Sequence, residues 1–553
     1  MNWLPVNIIK LHPSQVTGKM MRTRFFPLLI LMLYVLHPGI SGQDHHERFD
    51  LLNVQSYRFE ITLYDTTDLI RVRERLKVEF RAPAEGFYLD LKNVNNLGKG
   101  MKVQRITCSG KQVPFLHRNN RLQLMILPAA AGETRSYHLS YQGIPADGLI
   151  ISENKFGDRT FFGDNWPDRA CHWLAVVDHP SDKARVEFIV NAPGHYRVVS
   201  NGTKTAETVK GGRITSTWKT RIPLPTKLMV IGVAPFAVQH LRSSSGIPVS
   251  SWVFPQNREE GFFDYSLALK PLDFFENYIG PYPFSKLANV QSKTVYGGME
   301  NAGCIFYRES SVTGKRDHET LLAHEIAHQW FGDAVSELNW HHIWLSEGFA
   351  TYLTDLYLER VHGRERFLSS LLRERQQVLG YARRRPAPVI DTTLPVSVRL
   401  LNPNSYEKAG WVLHMLRGEL GDRLFRESLR TFYQEYQYSN ALTEDFRRIV
   451  DSISGENYAP FFRQWLYESG HPVISATWEY EEGEIRLHIR QHQERTSFVF
   501  PLDIKIVSGP DSFITETLRI DSRNGAFSIP CERRPVEIIL DPESWLLFEY
   551  HDP

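Results

Sequence analysis

The chain is poor in cysteine. Four thiols, Cys108, Cys171, Cys304 and Cys531, are scattered through 553 residues, and no two form a C-x-x-C pair. That argues against a cysteine zinc site and a disulfide-dense scaffold; it leaves room for one long-range disulfide, with buried free thiols the expectation. An excess of either charge is also lacking. Lys and Arg number 64 against 63 Asp and Glu, for a formal net charge of +1. Such a chain has no global basic field with which to hold nucleic acid. Internal repeats and low-complexity linkers are missing, so a repeat array is not indicated. The apolar run at residues 25–36 is too short for a confident membrane span.

That run has another use. Arg22 and Arg24 precede it, and Gly39, Ser41 and Gly42 follow it. A charged start, an apolar stretch and a small-residue cleavage zone make an export signal. Residues 1–43 are therefore expected to be a signal region, with a start at Met20 or Met21. The rest of the chain is expected to be periplasmic or extracellular. An uncleaved signal anchor is the alternative, and no stable membrane span is expected after cleavage.

What is present is a sizeable globular composition: 42% hydrophobic and 23% charged residues, enough for three or four domains at roughly 100–200 residues each. From about residue 50 the pattern has a period of two. Tyr57, Phe59, Ile61 and Leu63 alternate with polar residues, as do Val72, Leu76, Val78 and Phe80. This predicts antiparallel sheet through an N-terminal β domain, residues 44–236. Near residue 260 the period lengthens. Phe367, Leu368, Leu371, Leu372, Val378 and Leu379 share one helical stripe, and residues 237–470 are expected to be an α-rich catalytic domain. After Gly470 alternation returns at Ile485, Leu487 and Ile489, predicting a C-terminal β-sandwich over 471–553. The fold class is thus multidomain α+β.

The chemistry is concentrated in LLAHEIAHQWFGD. His324 and His328 stand four apart, so on a helix both imidazoles leave one face. That spacing suits one zinc ion, with Glu325 displaced so that it acts as general base rather than ligand. A chain with 21 histidines can produce this pattern by chance, so a third ligand is needed. Glu347, in WLSEGFATYL, follows His328 by 19 positions and could return on a neighbouring helix. Two histidines and a glutamate leave one position open, as hydrolysis requires. His341 and His342 lie nearer in sequence but are expected to be polar surface.

These residues resemble the gluzincin aminopeptidases, the family of aminopeptidase N and the leukotriene hydrolase. Two more motifs agree. Gly297, Gly298, Met299, Glu300 and Asn301 are similar to the family's G-x-M-E-N exopeptidase motif. Tyr406, 59 positions after Glu347, stands where the family has its catalytic tyrosine. The resemblance covers nearly the whole chain from about residue 50. It implies a thermolysin-like catalytic domain and one zinc ion held by His324, His328 and Glu347. It also implies Glu325 as base, Tyr406 as donor to the oxyanion, and Glu300 as anchor for a free amino terminus. Gly297 and Gly298 would let the substrate backbone come close. Asp164, in FFGDNWPDRACHW, is expected to offer the amine a further carboxylate. The implied partners are peptides with free N-termini.

The sequence departs from the family pattern at Ser346 and Asp333, where Asn is common, at Gly298, where Ala is common, and at Ala409, where Gly is common. Many relatives also carry a long helical C-terminal domain that covers the site, whereas here the last residues are β-patterned. A more open cleft is the expectation. Epoxide hydrolysis on the same scaffold, or a peptide-binding protein with a relict zinc site, are the rival readings.

Overall fold

The computed structural model describes residues 9–11, 47–396, 398–494 and 497–552. Of the region read as an export signal, residues 1–43, all but 9–11 lie outside the described residues. By contact density the chain divides into two units. One holds residues 45–371 and 389–467, the other 372–388 and 468–553, with the N-terminal stretch 1–44.

The first unit begins as sheet because its strands alternate. Along Ile70–Phe80 every second residue is buried, while Arg71, Arg73 and Arg75 face outward. This strand pairs antiparallel with Leu52–Thr62 and with Thr134–Ile144 inside a nine-stranded sheet. One pairing departs from the expected antiparallel pattern: Lys183–Pro193 runs parallel to Leu52–Thr62. A period of two reports which face a residue takes, not the direction of its neighbour, and parallel partners need a long crossover. Here more than a hundred residues separate the two strands. Phe59 stacks on Phe188 at 5.5 Å, sealing the sheet's inner face.

A mixed five-stranded sheet follows. Its order is Ala237–Arg242, Pro248–Val253, Leu287–Ser292, Cys304–Arg308 and Gly298–Met299. The last strand is an edge, antiparallel to Tyr307 and Phe306. Among the helices of this part are Glu319–Ala327, Trp344–His362 and Ala409–Tyr436. Trp344–His362 is buried along most of its length, so it is a core helix. Gly348 lets it approach the Ala409 helix, since a Cβ there would lie 2.4 Å from the Cβ of Ala409. The Ala for Gly exchange noted at 409 is thus accommodated by a glycine opposite.

The second unit holds two four-stranded sheets. Glu484–Gln491 alternates strictly, with Ile485, Leu487 and Ile489 inside. Ile9–Leu11 is a strand in this unit, paired with Ile538–Leu540. It lies within the region assigned from sequence to an export signal, ahead of Met20. Lys10 there meets Glu537 at 2.9 Å, and Leu11 accepts a bond from the Trp478 indole. Among the described residues no helix is long and apolar enough to cross a membrane. All four cysteines are free thiols, three of them buried.

Candidate metal centre

Helix Glu319–Ala327 carries His324, and its helical dihedrals continue through His328. The chain then leaves the helix because Trp330 and Phe331 are drawn fully into the core. Phe331 packs on Phe349 at 4.8 Å, which ties this exit to the second helix. Glu347 sits in that helix's first turn, where the helix dipole favours a carboxylate.

The result is a converging donor set. Ligand atoms of His324, His328 and Glu347 lie within 4.8 Å of one another. Nε2 of His328 is 3.2 Å, and Nε2 of His324 3.5 Å, from Oε2 of Glu347. The two Nε2 atoms are 3.1 Å apart. Nδ1 of His328 faces the carbonyl oxygen of Phe331 at 3.2 Å. A carbonyl only accepts, so Nδ1 carries the proton and Nε2 turns its lone pair to the centre. Oε2 of Glu347 is buried with no hydrogen-bond partner. Burial pulls both imidazoles down, and His324 stays below its ordinary value. For His328, Glu347 with Glu300 and Glu325 reverses the effect, to about 10. The pocket thus favours a positive charge among these groups, which a divalent cation supplies more fully than a proton. His341 and His342 are turned elsewhere, to Leu394 and Asn339 and to Thr443 respectively.

Gly332 is required at the rim of this centre. Its φ is +120°, and a Cβ would lie 2.3 Å from Oγ of Ser346 and 2.9 Å from Nδ1 of His328. Ser346 Oγ is itself 3.1 Å from that nitrogen. Gly332→Ala is therefore expected to tilt the His328 ring and weaken metal binding by about 10–100-fold, as loss of a ligand's support usually does. Competition against a chelator of known affinity measures it.

Glu325 is buried and outside the ligand set. Burial raises its carboxyl's pKa; His328 opposes this, and Glu300 and Glu347 add to it. Gly298 gives its side chain room, since a Cβ there would lie 2.3 Å from Oε1 and 2.6 Å from Cγ of Glu325. That is a different reason for glycine from the substrate approach expected of it. A Cβ at Gly297 would meet only Cδ1 of Leu321, at 3.8 Å. Tyr406 lies in a single π-helical turn, Asn404–Lys408. Its ring stacks on His324 at 6.0 Å and 16°, and burial, then Glu347 and Glu300, hold its hydroxyl protonated.

Glu300 is 3% exposed and its Oε1 has no hydrogen-bond partner. Met299 and Asn301 beside it are buried. Asp164, expected to offer the amine a further carboxylate, is fully buried. Its Oδ1 accepts from Arg169 at 2.7 Å, and its Oδ2 accepts from Thr294 Oγ1 and the Val295 amide, both at 3.1 Å. Through the bonds to Thr294 and Val295 it braces the segment entering the Gly-Gly-Met-Glu-Asn loop. The sequence reading missed the buried polar residues behind that loop: Lys227, paired with Glu337 at 2.6 Å, and Gln329. No local spacing announces them.

Residues 263–465 match the model of the peptidase family M1 domain. Aminopeptidase M1-C of Oryza sativa subsp. japonica is 30% identical over 312 residues, 54% of this chain and 36% of that protein. Leucyl aminopeptidase of Saccharolobus solfataricus is 23% identical over 421 residues, 72% of this chain and 51% of that one. Over these residues the chain is similar to the M1 peptidases, the gluzincin aminopeptidases. The chain also shares its fold with the crystal structure of an M1 zinc metallopeptidase from Deinococcus radiodurans, at a TM-score of 0.65 and 23% identity. That likeness covers 76% of this chain and 95% of the other. Its matches to the two curated relatives span 36% and 51% of their lengths.

Proposed function

We propose that the chain is a zinc-dependent aminopeptidase that removes the first residue from peptides with a free amino terminus. The observation that carries this reading is Glu300, a buried carboxylate oxygen without a partner, close enough to the His-His-Glu donor set for its charge to act on both imidazoles. An unpaired buried carboxylate costs several kcal/mol unless a cation meets it, and a peptide's terminal ammonium is such a cation. An internal peptide nitrogen would leave the charge unmet, and so is rejected.

The donor set suits zinc, with His324, His328 and Glu347 as the ligands. When bound, zinc supplies Lewis acidity, which makes water a usable nucleophile near neutral pH and polarises a carbonyl. Glu325 takes the proton of the attacking water and passes it to the leaving amine. Tyr406, kept protonated, donates to the oxygen on which negative charge develops. Glu300 holds the ammonium, so the first peptide bond is the one presented. The complete set of base, donor and anchor speaks against a relict site. Export rests on the signal pattern within residues 1–43, and N-terminal sequencing of protein recovered outside the cytoplasm checks it.

The test is a panel of aminoacyl reporter substrates with matched N-acetyl versions. Cleavage of the free-amine set alone is expected, lost with a chelator and restored by zinc. Glu300→Ala is expected to raise KM chiefly, by about 10-fold or more for a lost charged hydrogen bond. Equal cleavage of the acetylated set, or full activity after chelation and dialysis, sinks the reading.

A further inference from the structure

Gln329 follows the second motif histidine and is fully buried. Its side-chain amide makes four hydrogen bonds. Nε2 donates to the main-chain oxygen of Glu300 at 2.6 Å and to Oδ2 of Asp333 at 2.9 Å. Oε1 accepts from the main-chain amide of Gly303 at 2.7 Å and from the hydroxyl of Tyr282 at 3.1 Å. The orientation of this amide is not a free choice. A backbone N–H can only donate and a carbonyl only accept, so oxygen faces Gly303 and nitrogen faces Glu300.

These bonds have a mechanical meaning. Gln329 grips both ends of the short turn that runs from Glu300 to Gly303. The turn has further holds: Asn201 donates to the Ala302 oxygen at 3.0 Å, and Lys286 to the Gly303 oxygen at 2.7 Å. Those come from elsewhere in the chain. Gln329 differs because it is covalently next to His328, itself one of the converging donors. The Glu300 carboxylate has an oxygen without a partner, so its position is inherited from its backbone. A side chain beside a metal ligand thereby locates the backbone that carries the amine anchor.

We propose that Gln329 is a positioning residue that fixes the separation between the metal centre and the Glu300 carboxylate. In doing so it makes the site measure a single residue from a free amine. This rests on the aminopeptidase reading above and names the part of the structure that sets its exopeptidase reach. Glutamate at 329 would keep the acceptor for Gly303 and Tyr282 but lose both donors. Methionine would keep the length and lose all four bonds.

The test uses the full-length zinc-loaded enzyme and two inhibitors that differ only in the α-amine. One is the hydroxamate of the amino acid preferred in the reporter panel, the other its des-amino counterpart. Wild type is expected to bind the amine-bearing compound more tightly. Gln329→Met is expected to erode that preference by about 10–100-fold, the usual cost of a lost supporting partner. Affinity for the des-amino compound and zinc content are expected to stay as in wild type. In a Glu300→Ala background, Gln329→Met is expected to add nothing to the preference. Equal weakening of both inhibitors, an unchanged preference, or the same erosion without Glu300 would overturn the proposal. If Gln329→Met does not fold, Gln329→Glu is measured by the same criteria. A wild type that binds both inhibitors alike refutes the amine anchor itself, and this inference with it.

Discussion

Glu325→Gln is expected to lower kcat on aminoacyl reporters by about 10²–10⁴-fold, the range of general acid–base catalysis, with zinc content unchanged. The two halves of this result come from different features. Zinc is retained because the converging donors are His324, His328 and Glu347, and Glu325 is not among them. Activity falls because glutamine has the carboxylate's shape but cannot accept a proton. Burial, reinforced by Glu300 and Glu347, raises the Glu325 pKa, while a bound cation pulls the other way. A carboxyl balanced between these forces can take a proton from water and release it to an amine within one turnover. The variant also has no steric excuse for failing, since the space that Gly298 leaves for this side chain admits an amide of equal size. Metal analysis with steady-state kinetics checks both halves. A variant as active as wild type would remove Glu325 from the mechanism, and a variant without zinc would make it a support for the ligands.

The metal centre was legible in the sequence because its parts are local or ordered by helices. His324 and His328 are fixed by one helical turn, and Glu347 opens the next long helix. Gly298 was legible as a residue but not in its reason, because the Glu325 side chain that fills the place of its Cβ comes from another element. The supports were not legible at all. Gln329 reaches Glu300 across 29 positions, and Lys227 reaches Glu337 across 110. No periodicity connects such pairs; only the packing of sheet against helix does. The parallel strand at Lys183–Pro193 escaped for the same reason, since alternation is blind to the partner's direction. Asp164 reads as a polar side chain near the site. Its partners, Arg169, Thr294 and Val295, show a bracing contact that the sequence could not announce.

Lys227→Met is expected to destabilise the protein by about 3–5 kcal/mol, the usual cost of removing one partner from a buried ion pair. Lys227 is 1% exposed, Glu337 0%, and Nζ lies 2.6 Å from Oε1. Burial works against the ammonium, but Glu337 and then Glu300 more than offset it, and the lysine's pKa stays above its ordinary value. Nζ also lies 5.3 Å over the ring of Trp340. With Lys227 gone, the Glu337 carboxylate faces a fully buried site, and its Oε2 is already without a partner. Lys183 nearby is a poor substitute. Its Nζ is committed to the carbonyl oxygens of Ala334 and Ser439, and burial pulls its pKa down to about 7. If the loss comes from a stranded charge, removing that charge should repair it. Lys227→Met with Glu337→Gln is therefore expected to recover most of the lost thermal midpoint, because the amide brings no charge into the core. A double variant no better than the single would show that the packing of the lysine stem, not its ion pair, carries the stability of this wall behind Glu300.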